Sequence, residues 1–242
     1  MLDLLKVEFY KIKKQGIFYF VMLSVIIISM VTAYSSMNRG EFFGNIYYIE
    51  SFHDASILFI FVILISFYIG SDFLNRSISF QVSRGHSRKK IVYSKLIVST
   101  VLSLIAVILY VFVGTIIVSL KKGYGSIISV KEIINMFIIL CESMILNIGT
   151  VSCFVLIAFV CKDIVKSICL SILFIIICST LIPNLKSIFL MKNLVEYFTI
   201  TQISNIGIIT LKQILVIVLS SFFTFMISYV CLNLIFKKME LK

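Results

Sequence analysis

Uncharged apolar runs of about 20 residues recur along this chain, separated by short clusters of Lys, Arg, Asp and Glu. A helix of about 20 apolar residues crosses the ~30 Å hydrocarbon layer of a bilayer. In lipid a backbone amide finds no partner outside its own helix or a closed barrel. A barrel would show short alternating segments, and these runs are continuously apolar. The pattern therefore dictates an all-α integral membrane protein. A soluble domain carries roughly 25% charged residues. These 242 residues hold 14% charged and 60% hydrophobic, at a mean hydropathy of +1.12. No soluble core absorbs that much apolar surface.

Six transmembrane helices are predicted, at about residues 16–37, 53–71, 96–120, 141–161, 167–185 and 213–236, in one domain covering 1–242. Charge sets their orientation. With both termini cytoplasmic, the inner segments hold fifteen cations, among them Lys6, Lys11, Lys13, Lys14, Arg76 and Lys237, and the outer loops hold seven. The net charge of +11 is this topology signal plus attraction to anionic inner-leaflet lipid. No soluble module remains to bind nucleic acid. The first apolar run is too long for a cleaved signal peptide and reads as an anchor. The six cysteines, in or beside spans, read as small buried apolar residues. Pro183 would kink or end span five.

Before the first span, Leu2, Leu5, Phe9 and Ile12 form one helical stripe, with Asp3, Lys6, Tyr10 and Lys13 off it. This predicts an amphipathic interfacial helix over residues 2–14.

The stretch from Gly70 to Lys95 is the second departure from apolar sequence. It holds Arg76, Arg84, Arg88, Lys89, Lys90 and Lys95 against one acid, Asp72. Leu74, Ile78 and Val82 repeat every fourth position, which predicts a short amphipathic helix over 73–83. Asp72 or Asn75 is placed to cap it, and Gly85 to stop it. Ser87 would cap a second helix running into span three. Arg88, Lys89 and Lys90 in its first turn oppose the helix dipole, at about 0.3–1 kcal/mol each. Lipid headgroups or an acidic partner surface must compensate.

Phe73, Arg76-Ser77, Gly85-His86-Ser87-Arg88 and Lys95 resemble the loop after span two in type-2 ABC exporter permeases, especially the short group with lantibiotic-immunity and bacitracin-resistance permeases. The opening MLDLLKVEFYKIKK is also similar to that group. Arg76-Ser77 stands where Gly-Thr is common, and Asp72 where Glu often sits. The resemblance implies a pore made by two permease subunits, identical or related, and driven by two cytoplasmic ABC ATPase subunits that bind ATP and Mg. It implies that the loop helix couples to the ATPase, with Phe73, Leu74, Ile78 and Val82 docking and Arg84, Arg88 and Lys95 anchoring the loop to headgroups or ATPase. The interfacial helix would contact the ATPase too. Asn184 to Lys212, around Glu196, would match the family's outer re-entrant or interfacial helices. The implied cargo is an antimicrobial peptide or similar drug. Lys-, Ile- and Asn-rich usage points to the plasma membrane of a Gram-positive bacterium.

A separate argument agrees that the energy source lies elsewhere. Secondary transporters carry ionisable residues deep in their spans. Here the span interiors are nearly free of charge, with Glu142 the exception. About 20 residues outward from Lys162, Glu142 falls at the outer interface. There it caps, snorkels or, with Glu196, meets substrate. The chain carries no G-x-x-x-x-G-K-[ST] phosphate loop, no H-E-x-x-H site and no G-x-S-x-G elbow. No enzyme and no cofactor of its own are therefore expected. The rival reading is a passive channel, anchor or immunity protein, which has no need of an ordered helix at 73–83.

Overall fold

Lipid-facing sequence is answered by helix. The computed structural model describes residues 2–39, 43–54, 56–125, 129–181, 199–203, 206–207 and 211–239, and every regular element among them is helical. In chain order these are α1 (Leu2–Lys14), α2 (Gly16–Arg39), α3 (Gly44–Ser51), α4 (Ser56–Leu74), α5 (Ser77–Ser83), α6 (Arg88–Lys122), α7 (Val130–Cys161) and α8 (Ile164–Ile176). A π-helical turn (Ile177–Leu181), α9 (Thr199–Gln202) and α10 (Leu211–Lys238) follow. Five helices, namely α2, α4, α6, α7 and α10, are long and apolar enough to cross a membrane, and Ile164–Thr180 is a shorter apolar helix. The chain is an all-α multi-span membrane protein. Glu196, Pro183 and most of the outer segment Asn184 to Lys212 lie outside the described residues.

α6 has 35 residues and α7 has 32, both longer than a bilayer requires. Their extra turns carry the structure at both ends. At the outer end the Gly44 and Asn45 amides donate to the carbonyls of Gly123 and Tyr124, tying α3 to the end of α6. α7 runs through the middle of the bundle, packed on α10, α4, α6 and α8. Its contact with α10 depends on small residues. A Cβ on Gly149 would stand 2.6 Å from Thr224 Oγ1 and 3.1 Å from Ser221 Cα. Membrane helices associate closely through such residues, since lipid supplies no hydrophobic drive between them.

At the opposite end Arg88 solves a problem that the sequence poses. Its Nη1 donates to the carbonyls of Phe236 (2.5 Å), Lys237 (3.0 Å) and Met239 (3.0 Å). The cation at the start of α6 thus caps the electronegative end of α10. Neither an ATPase nor a headgroup is needed to compensate it. The contact also sets the last helix beside the start of α6, on the face where α1 packs. α1 and the end of α10 therefore share the side that the charge count assigns to the cytoplasm.

The helix predicted over 73–83 is divided. Phe73 and Leu74 finish α4, where the Asn75 amide donates to Ser71 and the Arg76 amide to Phe73. Arg76 is left-handed (φ 54°) and starts α5. The bend lets two neighbouring apolar residues reach the core from different directions. Phe73 meets the Phe159 ring edge-on, with centroids 5.6 Å apart, and Ile78 is buried. Gly85 (φ 86°) closes α5 as expected: its amide donates to Val82 and that of His86 to Gln81, the paired bonds of a Schellman stop. Ser87 stands at the start of α6, but its side chain caps nothing.

Candidate functional site

Beneath α5 lies a cluster of charges from three helices. Lys95, Glu8 and Asp72 each have 0% of their side chains exposed. Lys95 Nζ donates to Glu8 Oε2 at 2.5 Å and pairs with Asp72 Oδ2. Lys11 pairs with the other Asp72 oxygen and donates to Ser77 Oγ at 3.1 Å. Tyr68 donates its hydroxyl to Glu8 at 2.8 Å, and its ring lies 4.4 Å from the Lys95 ammonium. Gln81, on α5, donates to Glu8 Oε1 at 2.6 Å. Two carboxylates face two ammonium groups, so the cluster is neutral overall. A buried ion is tolerable only when charge and hydrogen bonds are both matched. Burial alone would raise the Glu8 carboxyl. The Lys95 charge, with hydrogen bonds from Lys95, Gln81 and Tyr68, outweighs it and holds Glu8 below the ordinary carboxylate value.

The cluster explains how the inner elements are positioned. Glu8 ties α1 to α4, α5 and α6, and Lys11 ties α1 to Asp72 and Ser77 at either end of the bend. Gln81 and Ser77 of α5 bond to Glu8 and Lys11, and with Ile78 buried in the core these contacts fix its orientation.

Several sequence expectations are corrected by this geometry. Lys95 was expected at headgroup level or on a partner and is instead the centre of the buried cluster. Asp72 was expected as a helix cap, but two ammonium groups are stronger partners than a backbone amide. Ile78 is 1% exposed and faces inward, so it offers no docking surface. Val82 and Phe73 are half-buried against the core. The outward side consists of Leu74 (60% exposed), Phe80 (57%) and Arg84, whose guanidinium lies 4.1 Å from the Phe80 ring centroid. On α1 the buried face runs Leu4, Glu8, Ile12, with Leu5 half-buried and Phe9 turned outward. Leu2 belongs to α1, but its side chain lies outside the described residues. Asp72 and Lys95, which border the predicted spans 53–71 and 96–120, are buried within α4 and α6. Glu142 is also buried, at 2% exposure, and accepts the Gly207 amide at 3.3 Å. It ties α7 to the described piece of the outer segment instead of snorkelling.

Glu8, Tyr68 and Gln81 escaped the sequence reading. One signal was present: Glu8 sits between Leu4 and Ile12 at four-residue spacing, an acid in the middle of an apolar stripe.

A multi-span α-helical protein whose short inner helix is hydrogen-bonded to a buried cluster of ion pairs is a membrane subunit built to hold that helix in place. Residues 4–179 match the model of the ABC-2 family transporter protein, and the chain belongs to that family. The match begins inside α1, contains every residue of the charge cluster and ends in the π-helical turn. No curated relative matches the sequence. The chain is thus a permease subunit of an ABC transporter: the membrane component, distinct from the ATPase and partnered with it.

Proposed function

We propose that this permease works in an exporter, as one of two identical or related permease subunits, with ATP and Mg bound by the partner ATPases. The cargo is an amphipathic molecule such as an antimicrobial peptide or drug, moved out of the cell or its membrane. The host membrane is the plasma membrane of a Gram-positive bacterium. The observation that carries this reading is α5: a short inner helix flanked by Leu74 and Arg84, which face outward with its own Phe80, and bonded through Gln81 and Ser77 to Glu8 and Lys11 of the buried cluster that joins α1, α4 and α6. A push on α5 is delivered to α1 and to the long α6 through bonds that cannot stretch far. A passive anchor or channel has no use for that linkage. Leu74, Phe80 and Arg84 are the ATPase contact, with Val82 at its edge, and Ile78 holds the helix to the core.

The test is co-purification of the permease with a co-expressed ABC ATPase from the same host. Phe80→Asp combined with Leu74→Asp should reduce ATPase recovery at least tenfold without lowering the permease melting temperature. Ile78→Asp should unfold the permease instead. A wild-type permease that retains no ATPase would defeat the proposal. Direction is tested in inside-out vesicles, which should accumulate a labelled amphipathic peptide only with ATP.

A further inference from the structure

Among the described residues two glutamates are buried, and they are held in opposite ways. Glu8 accepts bonds at 2.5, 2.6 and 2.8 Å, one of them from an ammonium. Glu142 accepts a single bond, from the Gly207 amide at 3.3 Å. Its second oxygen, Oε1, is buried and meets no donor among the described residues. We propose that Glu142 is a proton-binding site: its carboxyl is neutral while it holds Gly207, and loss of the proton breaks that hold.

Hydrogen bonding is the first argument. A carboxylate ion is acceptor-only, with about four lone-pair sites, and draws its donors in to about 2.7–2.9 Å. A neutral carboxyl turns one oxygen into an O–H and leaves a weaker carbonyl acceptor. One long bond on Oε2 and none on Oε1 is the second pattern. An ionised oxygen buried without a partner costs far more than a hydroxyl in the same place.

Charge is the second. No ammonium or guanidinium pairs with Glu142 among the described residues. α6 brings Tyr110, whose hydroxyl serves Asp54, and Tyr124, whose hydroxyl serves Met136 Sδ. α3 brings Tyr48, bonded to the Met136 carbonyl, and the exposed Glu50, and its link to α4 brings His53 and Asp54. α10 brings Lys212, which is exposed. On α7 itself Cys141 is adjacent, and Lys131 and Glu132 lie about three turns away. α4, α8 and α9 carry no charged residue at this end. With no cation to neutralise a buried carboxylate, a proton does so.

The third argument is what the carboxyl holds. Ile206 is buried, and its carbonyl lies 2.9 Å from His53 Nε2, which must donate to it. Gly207 is left-handed (φ 91°), and a Cβ on it would stand 3.2 Å from Ile49 Cγ2. Two successive residues are thus gripped by α3, its link to α4, and α7. The His53 bond survives titration, because Nε2 carries hydrogen in the cation and in the matching neutral tautomer. The pH response therefore belongs to Glu142. Its docked carboxyl keeps a proton that a water-exposed one gives up at neutral pH. The contact is firm in acid and is lost as pH rises.

The experiment is infrared spectroscopy of the full-length permease in dodecyl maltoside, a detergent with no ester carbonyl to interfere. Wild type at neutral pH should show the carbonyl stretch of a protonated carboxyl, absent in Glu142→Gln. Wild type without that band overturns the proposal, as does a band that survives in Glu142→Gln. Amide exchange at Gly207, corrected for intrinsic rate, is the second readout. Wild-type protection should fall about tenfold from neutral to alkaline pH. Glu142→Gln keeps a carbonyl acceptor without the titration, so its protection should stay constant. An equal alkaline loss in both proteins overturns the proposal. Should Glu142→Gln fail to fold, wild type decides alone: its band must disappear in the same alkaline range in which Gly207 loses protection. Neither readout involves an ATPase, so the transport reading stands or falls separately.

Discussion

The ammonium of Lys95 lies 2.5 Å from a carboxylate oxygen of Glu8, a residue 87 positions earlier, and neither side chain meets solvent. Two helices that are independent in sequence, one interfacial and one spanning, are thereby joined at a single point. Lys95 also serves Asp72, so its loss strands two buried carboxylates with only Lys11 between them. Breaking a buried pair from one side costs about 3–5 kcal/mol. Lys95→Met should therefore lower the melting temperature sharply, followed by circular dichroism in nanodiscs. Glu8→Gln added to Lys95→Met should recover part of the loss, because Asp72 keeps Lys11. If the double variant melts below the single, the two charges are not energetically paired.

Arg88 supports a smaller prediction. Its three carbonyl acceptors at the end of α10 are partly open to solvent, so the loss in Arg88→Ala is about 1 kcal/mol rather than that of a fully buried charge. The clearer signal is local. Amide exchange in the last turn of α10 should accelerate while the rest of the helix is unchanged. Lys restores only part of the protection, since it lacks the guanidinium plane that lies 5.5 Å from the Phe236 ring centroid while one nitrogen serves the carbonyls.

Five of the six predicted spans coincide with long apolar helices, because lipid leaves the backbone one solution that needs only composition and length; the fifth predicted span is the shorter helix Ile164–Thr180 among the described residues. The stop at Gly85 was legible because the geometry it closes is local. The cluster was not. Glu8, Asp72 and Lys95 each sit where a charge near a membrane face ordinarily points to headgroups, and nothing within a few residues says otherwise. Their burial is decided by partners 23 and 87 positions away. The bend at Arg76 was hidden for the same reason. Leu74, Ile78 and Val82 keep perfect helical spacing, and only the competing demands of Phe73 and Ile78 for the core divide the helix.

Acidity offers a test of the cluster that needs no mutation. The Glu8 carboxyl is held below its ordinary value of 4.5 in the folded protein. Such a group contributes stability that is fully present above the unfolded-state value and is lost as pH falls through the lower folded-state value. Amide exchange of α1, corrected for intrinsic rate, should stay constant from pH 7 down to 5 and rise only below 4.5. In Glu8→Gln the acid rise should shrink, and α1 should be less protected at neutral pH. A rise near pH 6 in the wild type would mean that Glu8 is not held as an ion.

Gly149 governs the contact between α7 and α10. An added Cβ would meet Thr224 Oγ1 at 2.6 Å, Thr199 Cγ2 at 2.7 Å and Ser221 Cα at 3.1 Å. The two threonine side chains can turn aside; the α10 backbone at Ser221 cannot. Two effects of opposite sign then compete in Gly149→Ala. Replacing a helical glycine gains up to about 1 kcal/mol, while overpacking costs about 1–3 kcal/mol. The alanine variant should therefore be modestly destabilised, and Gly149→Leu strongly so. Thr224→Ser in the alanine background removes a methyl but keeps the hydroxyl that stands closest, so it should restore little. Thr224→Ala should restore more. Melting temperatures of the four variants decide the matter. If Gly149→Leu melts with the wild type, the two helices are held apart by something other than this close approach.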